Sequence, residues 1–200
     1  MAMLPVTSAL IAANVAIFLL QMALPGLVIP FALWPWGASQ ADPQVGFAPW
    51  QLVTYAFLHG SLLHLAFNMF ALYMFGGAIE RVFGGRRYLT YYLMSILAAA
   101  VTQLLVAAMS GGVYPTVGAS GGVFGLLLAY AIYFPRSRVM LLFPPIPMPA
   151  RVFVFGFAAL ELFLGITQTA AGVAHFAHVG GMIGGWLMIQ YRRRGFPFRM

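Results

Sequence analysis

The chain has 200 residues, 62% of them hydrophobic and 6% charged, with no cysteine and a formal net charge of +7. Soluble domains are about 25% charged, so this composition, at a mean hydropathy of +0.93, excludes an ordinary soluble fold and indicates a membrane protein. The lack of cysteine excludes disulfides, thiolate metal sites and a cysteine nucleophile.

Six apolar segments follow in chain order, at about Val6–Leu24, Tyr55–Ile79, Tyr88–Met109, Ser120–Phe134, Arg151–Thr167 and Val173–Tyr191. They predict an all-α membrane protein with six transmembrane helices, folded as a single unit over residues 1–200. The first segment has no basic stretch before it and is long for a signal sequence, so it is read as retained. The loop Pro25–Pro49 carries Trp34, Trp36 and several prolines but only one charge, Asp42, and reads equally as a segment lying at the membrane interface or as an ordinary loop with an aromatic belt. "FPPIPMP", Phe143–Pro149, cannot be helical and separates the fourth and fifth segments.

All ten basic residues are arginines. They fall after the second segment (Arg81, Arg86, Arg87), around the fourth-to-fifth connection (Arg136, Arg138, Arg151) and after the sixth (Arg192, Arg193, Arg194, Arg199). Such clustering on alternate loops is the positive-inside pattern, which puts both termini in the cytoplasm of a multi-pass protein of the cell membrane. No basic and aromatic stripe of a nucleic-acid surface is visible, so lipids rather than nucleic acid are the expected surroundings.

The fourth segment is short. Its 15 residues from Ser120 to Phe134 make roughly 22 Å of helix against a hydrocarbon core of roughly 30 Å. With its foot at the cytoplasmic side, Ser120 is expected to sit below the outer surface, where irregular backbone needs a protein cover or a water-lined cavity.

Three polar groupings interrupt the apolar helices. "HGSLLHLAFN" contributes His59, His64 and Asn68; "GASG" contributes Gly118 and Ser120; "AHFAHVGGMIGG" contributes His175 and His178. Ionisable residues inside a membrane are expensive and default to functional roles. All three groupings lie toward the outer ends of their segments, which points to one site. His64 and Asn68, four residues apart, share a helical face. A hydroxyl nucleophile at Ser120 needs a base, for which His64, His175 and His178 are candidates. The Ser120 backbone N–H at a helix start, with Asn68 and a histidine on its face, can serve a developing oxyanion. Gly118 allows a tight turn and close substrate approach. Gly121 with Gly125, and Gly181 with Gly185, form two GxxxG faces whose packing would bring His178 beside Ser120.

Acids are scarce: only Asp42, Glu80 and Glu161 occur. Only Glu161 lies within a membrane helix, and it reads as a buried residue with a hydrogen-bond partner, so a Ser–His dyad is expected rather than a triad. His175 is expected at the interface, His59 as a structural hydrogen-bonder, Glu80 with Arg81 as a capping or interfacial pair, and Phe124 either as a ring packed on His178 or, equally, as an ordinary core aromatic. No metal or cofactor is expected, because HExxH and cysteine are both absent.

Together, "HGSLLHLAFN", "GASG" and "AHVGGMIGG", in that order, resemble the motifs of the rhomboid family of intramembrane serine proteases, as does "GGAIERVFG". The resemblance runs from about Trp50 to Gln190. It implies a rhomboid-like six-helix bundle whose short fourth helix carries Ser120 as nucleophile, with His178 as general base. It implies His64, Asn68 and the Ser120 N–H as oxyanion donors, and single-pass transmembrane proteins as substrates, cut near their outer ends. Family members often carry Trp-Arg where this chain has Trp50-Gln51, so the part that arginine plays in ordering the first loop is left open here. The competing readings are a transporter or channel with a His/Glu relay and an inactive rhomboid-like binding protein. The first needs a repeat or a polar path across the membrane, and the second usually lacks the Ser or the His.

Overall fold

A computed structural model describes residues 4–140, 145–167 and 174–193. The long helices are α1 (Pro5–Ala23), α2 (Leu62–Phe83), α3 (Gly85–Ser110), α4 (Ser120–Tyr133), α5 (Ala150–Thr167) and α6 (His175–Arg193). Four of them, α1, α2, α3 and α5, are long and apolar enough to cross a membrane. Helix α4 is apolar but has only 14 residues. Helix α6 is not among the four; its histidines, glycines and terminal arginines dilute its apolar content. Many large apolar side chains point outward, among them Leu19, Met22, Leu105, Phe163 and Ile166. In water such a surface would aggregate; in lipid it is the solvated surface.

Helix α1 starts on Pro5, whose missing N–H costs nothing in the first turn. No local side chain caps it. Glu80 does so from α2: its carboxylate accepts hydrogen bonds from the N–H groups of Val6 and Thr7 and from the Thr7 hydroxyl, at 2.7–3.0 Å. A carboxylate at a helix N-terminus also meets the positive end of the dipole. Glu80 is therefore a capping residue for a distant helix.

The loop after α1 folds into short helical turns at Pro25–Leu27, Val28–Phe31 and Ala38–Ala41. Gln51 organises it from inside. Its side chain is buried, accepts from the Trp34 N–H (3.2 Å) and donates to the carbonyls of Gly46 (2.9 Å) and Pro30 (3.3 Å). Trp34 and Trp50 add indole N–H bonds to Ile29 and Pro30 carbonyls. Leu33 then forms a bridge with Thr116, tying the loop to the segment just before α4.

The second apolar segment does not run unbroken from Tyr55. Short helical turns cover Gln51–Thr54 and Tyr55–Phe57, and α2 begins only at Leu62. The cause is local: Leu58 is extended, and the Ser61 hydroxyl accepts from the His64 N–H (3.1 Å), which caps the new helix. Leu72–Gly76 of α2 is a π turn, a widening that shifts the register of the helix's lower half. Helix α3 ends on Gly111 in the left-handed region, φ 70°. Between α4 and α5, Arg138–Met140 (β1) and Pro147–Pro149 (β2) pair as antiparallel strands, Val139 opposite Met148. The proline run is thus non-helical, as read from the sequence, and its second half forms a hairpin strand; Phe143 and Pro144 lie outside the described residues. Arg194 and Arg199 also lie outside them.

Helices α3, α4 and α6 form the packed centre. Tyr88, Tyr91, Tyr92 and Ile96 of α3, Leu126 of α4 and Ile189 of α6 are almost fully buried. Buried hydroxyls need partners, and two tyrosines find them on backbone: Tyr91 donates to the Gly125 carbonyl (2.7 Å) and Tyr55 to the Ile96 carbonyl (2.8 Å).

Candidate active site

Ser120 is the first residue of α4, so its N–H belongs to the first turn, where no intrahelical acceptor exists. The turn before it is fixed from both sides. Gly118 donates its N–H to the Tyr55 carbonyl (2.9 Å) and has φ +128°, a conformation that favours glycine. A Cβ at Gly118 would stand 2.7 Å from the His64 ring. Glycine is needed here for backbone conformation and for space.

The approach of α6 to α4 is a backbone contact. A Cβ on Gly181 would overlap the Gly121 carbonyl, and one on Gly185 would press on Gly125 and Tyr91. Gly180 and Gly184 fit against Thr102 and Ala98 of α3 in the same way. With the helices this close, His178 Nε2 lies 2.8 Å from Ser120 Oγ. Phe124, one turn below Ser120, stacks on the His178 ring at 4.3 Å between centroids and 5° between planes. Phe157 of α5 stacks on Phe124 in turn, at 5.3 Å.

Behind His178 stands Glu161 of α5. Its Oε2 is 2.8 Å from His178 Nδ1 and 2.6 Å from His175 Nδ1. The geometry departs from the expectation of a histidine without an acid, because α5 packs on α6 with Glu161 as one of its few buried residues. His175 is likewise buried against this carboxylate rather than set at an interface. In sequence the signal was weak: one acid in an apolar helix and two histidines three residues apart, with nothing to say that the helices meet there.

His64 and Asn68 face Ser120 from α2 across a cleft of ≈ 960 Å³, also lined by Phe67, Val123, Phe157 and His178. Asn68 is 5% exposed, and its Nδ2 has no hydrogen-bond partner among the described residues. A buried amide donor left unpaired costs about 1–3 kcal/mol, so one that opens on a cleft is a candidate for a transient acceptor. His59, read as a structural hydrogen-bonder, makes its hydrogen bonds through the backbone. Its backbone N–H and C=O are held by the Gln21 side chain of α1 (3.0 and 3.2 Å), while its ring packs edge-on against His64, at 5.1 Å. Neither His59 ring nitrogen has a partner among the described residues. Of the five site residues read from the sequence, Ser120, His178, His64 and Asn68 thus line one cleft and Gly118 adjoins His64 and Ser120, with Glu161 and His175 added behind His178.

Comparison with known proteins gives this arrangement a family. The model of the Rhomboid domain matches residues 47–195. The chain belongs to the rhomboid family. Over 137 residues it is 31% identical to the rhomboid protease GluP of Bacillus subtilis, which covers 68% of this chain and 25% of that protein. It is 30% identical over 141 residues to rhomboid protein 1, mitochondrial, of Saccharomyces cerevisiae, covering 66% of this chain and 38% of the yeast protein. It is 28% identical over 197 residues to the rhomboid protease GlpG of Klebsiella pneumoniae, covering 92% of this chain and 62% of that protein. The chain therefore spans between a quarter and just under two thirds of the length of these relatives. Family and apolar helices together make it an integral, multi-pass membrane protein.

Proposed function

We propose that this rhomboid is an intramembrane serine endopeptidase, with Ser120 as nucleophile and His178 as general base. The observation that carries the reading is the 2.8 Å contact between Ser120 Oγ and His178 Nε2, at a helix start that opens on the cleft. Such a contact lies within the range for proton transfer. His178 Nε2 takes the hydroxyl proton as Oγ bonds to the scissile carbonyl carbon. The carbonyl π electrons move onto oxygen, and the Ser120 N–H, His64 and Asn68 Nδ2 are assigned to that oxyanion. His178 then gives the proton to the leaving amine as the C–N bond breaks. A water, deprotonated by the same nitrogen, cleaves the acyl-enzyme and restores Ser120. Gly118 keeps the approach to Oγ clear.

The reading includes six membrane crossings in one unit, with the short α4 carrying the nucleophile. The arginines at the end of α2, the start of α3, the hairpin and the end of α6 lie away from Ser120 along their helices. By the positive-inside rule this supports cytoplasmic termini and a catalytic cleft toward the outer face. Substrates are then single-pass transmembrane proteins cut near their outer ends. The test is labelling with a serine-reactive fluorophosphonate alongside cleavage of a transmembrane substrate. Wild type is expected to label and cleave; Ser120→Ala is expected to do neither. Equal labelling of wild type and Ser120→Ala refutes the assignment.

A further inference from the structure

We propose that Glu161 is a positioning residue for catalysis, which makes the relay a Ser120–His178–Glu161 triad braced by His175. The inference rests on the protease reading above and goes beyond its two-residue pair. Three observations carry it. First, one carboxylate oxygen, Oε2, lies within hydrogen-bond distance of Nδ1 of both His178 and His175, at 2.8 and 2.6 Å. Second, all three side chains are buried, where an unpaired charge is strongly disfavoured and a paired one is held in place. Third, the opposite nitrogen of His178 meets Ser120 Oγ. The contacts thus run in line from hydroxyl to imidazole to carboxylate.

The chemistry follows from the donor inventory. An ionised carboxylate only accepts hydrogen bonds, so it pairs with Nδ1–H of each histidine. That choice of tautomer leaves His178 Nε2 with its lone pair facing the Ser120 hydroxyl. When Nε2 takes the hydroxyl proton, the imidazolium forms beside a fixed negative charge, and no proton need move to Glu161. His175 occupies a second lone pair of the same oxygen, which restricts the carboxylate to the orientation His178 needs. The three side chains also have the composition of a metal site, with ligand atoms within 4.8 Å of one another. Oxygen–nitrogen separations of 2.6 and 2.8 Å are those of charge-assisted hydrogen bonds, which favours the relay.

The experiment uses the purified full chain in liposomes with a single-pass transmembrane substrate, comparing wild type, Glu161→Gln, Glu161→Asp and Ser120→Ala. Glutamine keeps the shape and one acceptor oxygen but removes the charge. Glu161→Gln is expected to lower kcat by about a hundredfold with KM within about twofold of wild type. Its fluorophosphonate labelling is expected to slow in parallel. Glu161→Asp keeps the charge one methylene short and is expected to recover to within about tenfold of wild type. EDTA is expected to leave the wild type active. A Glu161→Gln kcat within about twofold of wild type overturns the triad. So does a Glu161→Asp protein as slow as Glu161→Gln with both melting temperatures lowered, since that marks a structural carboxylate. Loss of wild-type activity in EDTA, restored by zinc, overturns it in favour of a metal centre. Activity in Ser120→Ala would instead remove the protease reading itself.

Discussion

Helix α6 carries His178 and helix α5 reaches it through Glu161, yet the two helices are held in opposite ways. Helix α6 lies glycine against glycine on α4 and buries Gly180, Gly181, Gly184 and Gly185. Helix α5 buries only Ala150, Val154 and Glu161 among its described residues, and leaves Phe155, Leu160, Phe163 and Ile166 exposed. Its hold on the rest includes buried Val154, the Ala150 N–H bond to the Ser137 carbonyl, Phe153 and Phe157 in a ring stack with Phe124, Glu161 on two histidines, and Gly165 against His175 and Phe176. Backbone contact with no room for a Cβ resists sliding, because any shift meets hard atoms at once. A helix hung on a few flexible side chains can separate at lower cost. The proposed nucleophile, Ser120, and proposed base, His178, are therefore on the rigid side of the molecule, and Glu161, the carboxylate beside His178, is on the looser side.

The largest effect is expected from cutting the relay on the rigid side. Ser120→Ala and His178→Ala are each expected to lower turnover by about 10⁴-fold or more, with melting little changed, because nucleophile and base act as a unit. Single-turnover cleavage of a transmembrane substrate reads this. Full activity in either variant would mean that α4 and α6 are packed together for structural reasons alone.

Asn68 lies on α2, outside both helices, and calibrates the comparison. Asn68→Ala is expected to cost about 2.7–4 kcal/mol of transition-state stabilisation, or roughly a hundred- to thousandfold in kcat. Its melting temperature should stay close to wild type, since its Nδ2 has no hydrogen-bond partner to lose among the described residues. A drop of several degrees with normal turnover in the folded fraction would make Asn68 a helix-bridging residue instead.

Two substitutions then compare the helices directly. Gly181→Val sets a branched side chain onto the Gly121 carbonyl and is expected to destabilise by about 1–3 kcal/mol or more through overpacking. Thermal melting of the purified protein measures it. Phe157→Ala removes one ring from the stack on α5, a contact worth about 0.5–1.5 kcal/mol beyond the area it buries, and is expected to lower melting less. If Phe157→Ala lowers melting more than Gly181→Val, α5 is the firmer helix and the comparison is reversed.

Much of this molecule was legible in the linear chain. Long apolar runs have few alternatives in lipid, because every backbone polar group must be satisfied within the segment. The bounds read for α1, α4 and α5 accordingly fall within about two residues of those observed. The family was carried by three local motifs, each a short run of residues. The glycine faces of α4 and α6 were also local, and they anticipated how Gly121 and Gly181 meet. What the chain could not disclose were choices between distant partners. Tyr55–Phe57 looks as helical as α2, but the Ser61 cap and the extended Leu58 start the long helix later. Gln51 differs from the residue usual at its position, and only the folded loop shows it holding Trp34, Pro30 and Gly46 together. Glu80 reads as a cap in sequence, but the helix it caps is α1, more than 70 residues away. Glu161 is the sharpest case. One carboxylate in an apolar helix must find a partner, and the sequence requires no more than that. Which partner depends on which helix lies beside α5 and on how each is rotated about its axis. Both are properties of the packed bundle, and they set His178 and His175 on that single oxygen.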